Sequence, residues 1–211
     1  MTETSDATRG GPPRTGDEAL ARLLAGNARF VAGRKLDHDT LRRAELAAGQ
    51  EPFAVILGCA DSRVPPEAIF DQGLGELFVV RVAGNTAVEP LVLGSVEFAL
   101  ANLGSRLVVV LGHQGCGAIE GAVAAVTEDA TAPGSIGDVI APIVPVVQGV
   151  AEAESGLSPA ELRERSVRAN VRAAVADLSA RSPVLAERIG AGDVKLVGAE
   201  YRLATGEVVL V

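Results

Sequence analysis

The sequence predicts an α/β fold: a single domain with four parallel strands and an antiparallel edge strand in a central sheet, flanked by helices and preceded by an N-terminal helical arm. Three observations predict it. The chain has 211 residues, enough for one full core and few for two. Four short runs are apolar on both faces, as strands covered by helices on both sides must be. Helical stretches separate those runs, and strand–helix alternation is the pattern of a parallel sheet.

Residues 1–16 are polar and rich in Gly, Pro and Thr, and read as a disordered leader. Residues 17–211 make the domain, with 17–50 as the helical arm and 51–211 as the core. Asp17 is the expected cap of a helix running to about Val31, because Leu20, Leu23, Leu24 and Phe30 follow at helical spacing. A second arm helix is expected over 41–48. Neither helix carries catalytic groups, so the arm reads as packing on the domain itself or on a second subunit. The expected strands are 53–58, 77–82, 107–111 and 194–197. The expected helices are 66–71, 88–103 and 118–126, then a long helical block over 136–185 broken near Gly156 and Pro183. Leu203-Ala204-Thr205-Gly206-Glu207 reads as a turn into an antiparallel edge strand over 208–211.

Composition removes several function classes. Aromatic residues are 3% of the chain and Trp is absent, so stacking platforms for bases or sugars are scarce and the core is aliphatic. Nineteen basic residues stand against 27 acidic ones, a net charge of −8. That balance argues against nucleic acid and against an anionic membrane surface, both of which require basic clusters. No apolar run spans a bilayer and no secretory pattern opens the chain, so a cytoplasmic location is expected. There the two cysteines are expected to bind metal or do chemistry rather than pair.

In open α/β sheets the carboxyl ends of the strands hold the ligand. The first expected strand leads into Gly58-Cys59-Ala60-Asp61-Ser62-Arg63, and the third into Gly112-His113-Gln114-Gly115-Cys116-Gly117. If those strands are neighbours, both loops face one point. Two thiolates and an imidazole suit zinc over magnesium or calcium, and three protein ligands leave the fourth tetrahedral position open for catalysis. A water bound there loses its proton near neutral pH. Gly115 and Gly117 keep the H-x-x-C turn tight, and the Gly117 N–H, at a helix start, can donate to an anion or a thiolate. A lone buried Cys is usually a small hydrophobe. Here both cysteines and one of the two histidines fall at ends of buried strands. Asp61 either accepts a hydrogen bond from the bound hydroxide or takes the fourth metal position itself. Arg63, by pairing with it, keeps that position open.

These residues resemble the β-class carbonic anhydrases. The resemblance rests on Cys59-Ala60-Asp61-Ser62-Arg63 and His113-Gln114-Gly115-Cys116-Gly117. It is supported by Asp71-Gln72-Gly73-Leu74-Gly75-Glu76-Leu77-Phe78-Val79-Val80-Arg81, by Gly94-Ser95-Val96-Glu97-Phe98-Ala99, and by Tyr201-Arg202-Leu203-Ala204-Thr205-Gly206. It runs from about Ala19 to Val211. It implies reversible hydration of carbon dioxide to bicarbonate and a proton. It implies one Zn2+ per chain on Cys59, His113 and Cys116, and an Asp61–Arg63 dyad that orients the hydroxide and gates the fourth position. It also implies a homodimer or dimer of dimers in which the N-terminal arm wraps the partner. Gln50 stands where some members place a polar group reaching the substrate, and Phe78 matches an aromatic beside the site. Ile56, Val64, Phe78 and Ala83 would form an apolar wall. A second, inhibitory bicarbonate site of another branch would use Arg81 and Tyr201, but Ile56 replaces its Trp, so water on zinc is expected near neutral pH. Outside the site only His38 has an imidazole for moving protons, and it reads as a surface residue of the arm.

Other readings stay open. A sister hydrolase acting on carbon disulfide or carbonyl sulfide would use identical ligands. A closed structural zinc site would take Asp61 as fourth ligand. A nucleotide-binding protein is disfavoured, because neither G-x-G-x-x-G nor G-x-x-x-x-G-K-[ST] occurs.

Overall fold

A computed structural model describes residues 11–36 and 43–211. Most of the expected leader, the start of the second arm helix, and His38 lie outside the described residues. Five strands form one sheet in the order β2-β1-β3-β4-β5. They are β1 (Ala54–Gly58), β2 (Leu77–Arg81), β3 (Leu107–His113), β4 (Lys195–Tyr201) and β5 (Val208–Leu210). The first four run parallel and β5 returns antiparallel on β4, as the sequence predicts. β1 and β3 are buried along their whole length, whereas β2 is an edge strand and only half-buried.

The helices are α1 (Gly16–Val31), α2 (Arg43–Leu46), α3 (Pro66–Ile69), α4 (Pro90–Asn102), α5 (Gly117–Thr127), α6 (Ile136–Ile140), α7 (Val144–Ala153), α8 (Pro159–Arg181) and α9 (Pro183–Gly190). The long helical block divides at Gly156 and Pro183 as expected. It also divides between α6 and α7, where Pro142 has no N–H to continue the ladder. The cap of α1 is Thr15, not Asp17. The extended Thr15 accepts the Glu18 N–H at its side chain (3.2 Å), while Asp17 sits in the first turn and pairs with Lys195 at 2.5 Å.

α1 is part of its own domain. Ala19 and Leu23 enter the core beside Ile69, Phe70 and Leu107. Buried Asn27 ties three segments together: its Nδ2 donates to Ile69 O (3.2 Å) and Gly206 O (2.8 Å), and its Oδ1 accepts from Val208 N (2.9 Å). Arg29 pairs with Asp71 at 2.6 Å and Arg22 pairs with Glu76. On the other face α8 lies close to the sheet. A Cβ on Gly112 or on Gly198 would come within 2.5 or 2.6 Å of Val171 methyls, so these strand glycines set the helix–sheet spacing. A third apolar cluster, with Ile119, Val123, Ile143, Val147 and Val167, encloses Cys59 and Cys116.

Two glycine substitutions are expected to act with opposite signs in urea melts. A Cβ on Gly26 would lie 1.8 Å from the Phe70 carbonyl oxygen, so Gly26→Ala should cost about 3 kcal/mol. Gly149, in α7, has nothing among the described residues within 4 Å of such a Cβ, so Gly149→Ala should be neutral or stabilise by about 0.5–1 kcal/mol. Equal effects would contradict the packing of α1 on the domain.

Candidate metal centre

β1 and β3 are hydrogen-bonded neighbours, with Gly58 opposite Leu111. β3 continues two residues further, so His113 comes level with the chain just past Cys59. Gly115 then adopts φ +62°, a left-handed conformation that turns the chain back. Cys116 follows at the N-cap position of α5. The result is a buried trio whose ligand atoms all lie within 4.8 Å of one another. His113 has no exposed surface, and the two cysteines are almost as deeply buried.

The trio fits zinc. Its two Sγ atoms are 3.9 Å apart and both thiols are free. A disulfide requires about 2.05 Å. A tetrahedral ion with bonds of about 2.3 Å to sulfur holds its sulfurs about 3.8 Å apart. His113 Nδ1 lies 2.8 Å from Gln114 O, a contact that fixes the proton on Nδ1 and leaves a lone pair on Nε2. Nε2 is buried and, among the described residues, has no hydrogen-bond partner. An orphaned acceptor beside two thiols is a costly arrangement for an apolar pocket and a natural one for a metal.

The charges are arranged to match. The Cys116 thiol donating to Cys59, against the cost of burial, pushes the Cys59 thiol well below its ordinary value, and the same contact pushes Cys116 up. Burial pulls the His113 imidazole down, but the Cys59 sulfur, with the Gln114 carbonyl and the Asp61 carboxylate, leaves it raised on balance.

Asp61 stands at the edge of the trio, its Oδ2 4.0 Å from His113 Nε2. Arg63 grips both of its oxygens, Nε to Oδ1 at 2.9 Å and Nη2 to Oδ2 at 2.7 Å, and its backbone N–H adds a third bond at 2.9 Å. The Arg63 side chain holds the Asp61 carboxyl well below the usual carboxylate range. Arg63 also donates to Gly115 O at 3.0 Å, so it spans both loops. Its side chain is 54% exposed, and a screened pair of this kind adds little stability; what it fixes is position.

The remaining expected site residues are dispersed. Gly117 is exposed at the first position of α5. Gln50 is exposed and lines a separate cleft with Arg43, Leu46 and Leu74. Ile56 and Val64 share one apolar cluster, but Phe78 does not join them. Phe78 is opposite Val55 in register, so its side chain takes the Val55 face, toward α4, with its ring 6.3 Å from that of Phe98. Within one chain the expected apolar wall therefore does not form a single surface. Tyr201 is buried opposite His113.

Sequence reasoning missed two supports of the Cys59 loop. Arg81 was noted only for a second site; here its Nε donates to Cys59 O (2.9 Å) and its Nη2 to Asp61 O (2.5 Å). Gly84 donates its N–H to Cys59 Sγ at 3.4 Å. The available signal was the Gly84-Asn85 dipeptide three residues past the end of β2, a turn placed at the carboxyl edge of the sheet.

Comparison with known proteins gives the family. The carbonic anhydrase family model matches residues 54–208. Carbonic anhydrase 2 of Mycobacterium tuberculosis is 46% identical over 198 residues, covering 91% of each chain. The Coccomyxa β-carbonic anhydrase, solved with acetazolamide, superposes with a TM-score of 0.73 at 27% identity, over 91% of this chain and 86% of that one. One of two tetrameric β-carbonic anhydrases of Sordaria macrospora shares the fold, with a TM-score of 0.74 at 24% identity over 92% and 96% of the two chains. By its fold, by this match over most of its length and by its relatives, the chain belongs to the β-carbonic anhydrase family of enzymes.

Proposed function

We propose that this protein catalyses the reversible hydration of carbon dioxide to bicarbonate and a proton, with one Zn2+ per chain held by Cys59 Sγ, Cys116 Sγ and His113 Nε2. The observation that carries this reading is the buried, unpartnered His113 Nε2 converging with two thiols beside a carboxylate restrained by an arginine. Zinc bound there supplies the Lewis acidity that brings proton loss from water close to neutral pH. The Gln114 carbonyl holds the His113 tautomer that presents Nε2. Asp61, ionised and able only to accept, takes a hydrogen bond from the reacting water and aims its lone pair at the carbon of carbon dioxide. Arg63 keeps both Asp61 oxygens engaged and so keeps the carboxylate from becoming a fourth metal ligand. Gly117 offers its N–H, and Gln50 and Phe78 of a second copy offer contacts, to the substrate.

The second copy is part of the proposal: the protein works as a homodimer or dimer of dimers. Leu91 is 86% and Phe98 52% exposed, two turns apart on one face of α4 and beside the half-buried edge strand β2. The Sordaria neighbour is described as tetrameric. Among the described residues no helix is long and apolar enough to cross a membrane. We place the enzyme in the reducing cytoplasm, where two free thiols persist.

Stopped-flow hydration on zinc-assayed protein, from about pH 6.5 to 9, tests the reaction. Because Arg63 holds Asp61 well below the usual carboxylate range, Asp61 stays ionised throughout that window and the rate should rise with pH as the reacting water loses its proton. Asp61→Asn and Arg63→Ala should keep zinc and lose activity by about 10²-fold or more. Variants as active as the wild type would remove the dyad from the mechanism. Turnover of carbon disulfide but not carbon dioxide would move the assignment to the sister hydrolase. In sedimentation, the pair Leu91→Asp and Phe98→Asp should release smaller species; an unchanged oligomer would place the interface elsewhere.

A further inference from the structure

We propose that Asn170, on α8, is a positioning residue for the metal centre: it clamps Gly84 so that the Gly84 N–H stays aimed at the Cys59 sulfur. The inference rests on the reading of Cys59 as a zinc ligand. Asn170 lies mid-helix, 4% exposed, among Val167, Val171 and Ala174. Asparagine is a poor residue for a helix interior, and a buried amide without a partner is costly. Its partner is distant in sequence: Nδ2 donates to Gly84 O at 2.9 Å. Gly84 in turn donates its N–H to Cys59 Sγ at 3.4 Å. One residue thus receives a bond from α8 and gives one to the sulfur.

The surroundings show why Gly84 needs holding at that point. Its φ is +75°, and a Cβ there would come 2.7 Å from Ile143 Cδ1 and 3.1 Å from Ala118 Cβ, so only glycine fits. The turn around it is already tied to the Cys59 loop by Val82 N to Gly58 O (3.1 Å) and Ala60 N to Val82 O (3.2 Å). Those bonds fix the front of the turn, and Asn170 fixes the back. An N–H aimed at a thiolate withdraws charge from it and orients its lone pairs, which tunes and steadies a metal–sulfur bond.

The test measures zinc release to a chelator and the sulfur-to-metal charge-transfer absorption of cobalt-substituted protein, for the wild type, Asn170→Ala and Leu178→Ala. Leu178→Ala empties space on the same helix, about two turns from the clamp and in a different apolar cluster from the sulfurs, and controls for lost stability. Asn170→Ala should release zinc about 10–100-fold faster and shift the charge-transfer band, whereas Leu178→Ala should leave both within about twofold. Wild-type release and an unmoved band in Asn170→Ala would overturn the proposal, as would equal changes in both variants. If Asn170→Ala does not accumulate folded, Asn170→Ser decides by the same two readouts, since its hydroxyl is too short to keep the clamp. A wild type that binds no zinc overturns the metal-site reading, and the clamp with it.

Discussion

The centre depends on the parallel pairing of β1 with β3. Gly58 lies opposite Leu111, and β3 runs on by two residues. That register alone sets the imidazole of His113 beside the Cys59 sulfur, although 54 positions separate them in the chain (113 minus 59). A slip of one residue would turn His113 to the α8 face and break the trio. The register is protected because both strands are buried on both faces, so a slip would expose or overfill the core along each of them.

Around this pairing the fold separates two tasks. The apolar cluster of α5, α7 and α8 encloses the sulfurs and excludes bulk water. The charged pair Asp61–Arg63 stands at the rim, with Asp61 close to His113 and Arg63 half in solvent. A dry interior would strengthen the pull between a bound metal and two thiolates, while Arg63 stays half in solvent. Supports from outside the two loops complete the frame: Arg81 from the edge strand holds the Cys59 and Asp61 carbonyls, and Asn170 reaches the turn that contacts Cys59.

Much of this was legible in the sequence because it is local. Apolar runs gave the four parallel strands, Gly156 and Pro183 gave the helix breaks, and C-x-D-x-R with H-x-x-C picked out the Cys59, His113 and Cys116 group that could hold a metal and the carboxylate beside it. What was hidden depends on register and tertiary contact. β3 was expected to end at Leu111, because Gly112 interrupts the apolar run; in the structure that glycine is where Val171 of α8 presses on the sheet. Phe78 and Ile56 were grouped by chemistry, but pairing of Phe78 with Val55 puts them on opposite faces. Asn170 and Gly84 are 86 residues apart, and no local pattern connects a mid-helix amide with a turn glycine. Thr15 capped α1 in place of Asp17 because its oxygen, one turn back, meets the free N–H of Glu18.

The most direct test of the central claim is to strip the purified protein with a chelator and titrate Zn2+ back while following carbon dioxide hydration on the same sample. The account predicts that activity vanishes with the metal and returns linearly to a break at about one zinc per chain. Activity that survives metal removal, or full zinc loading without hydration, would contradict it.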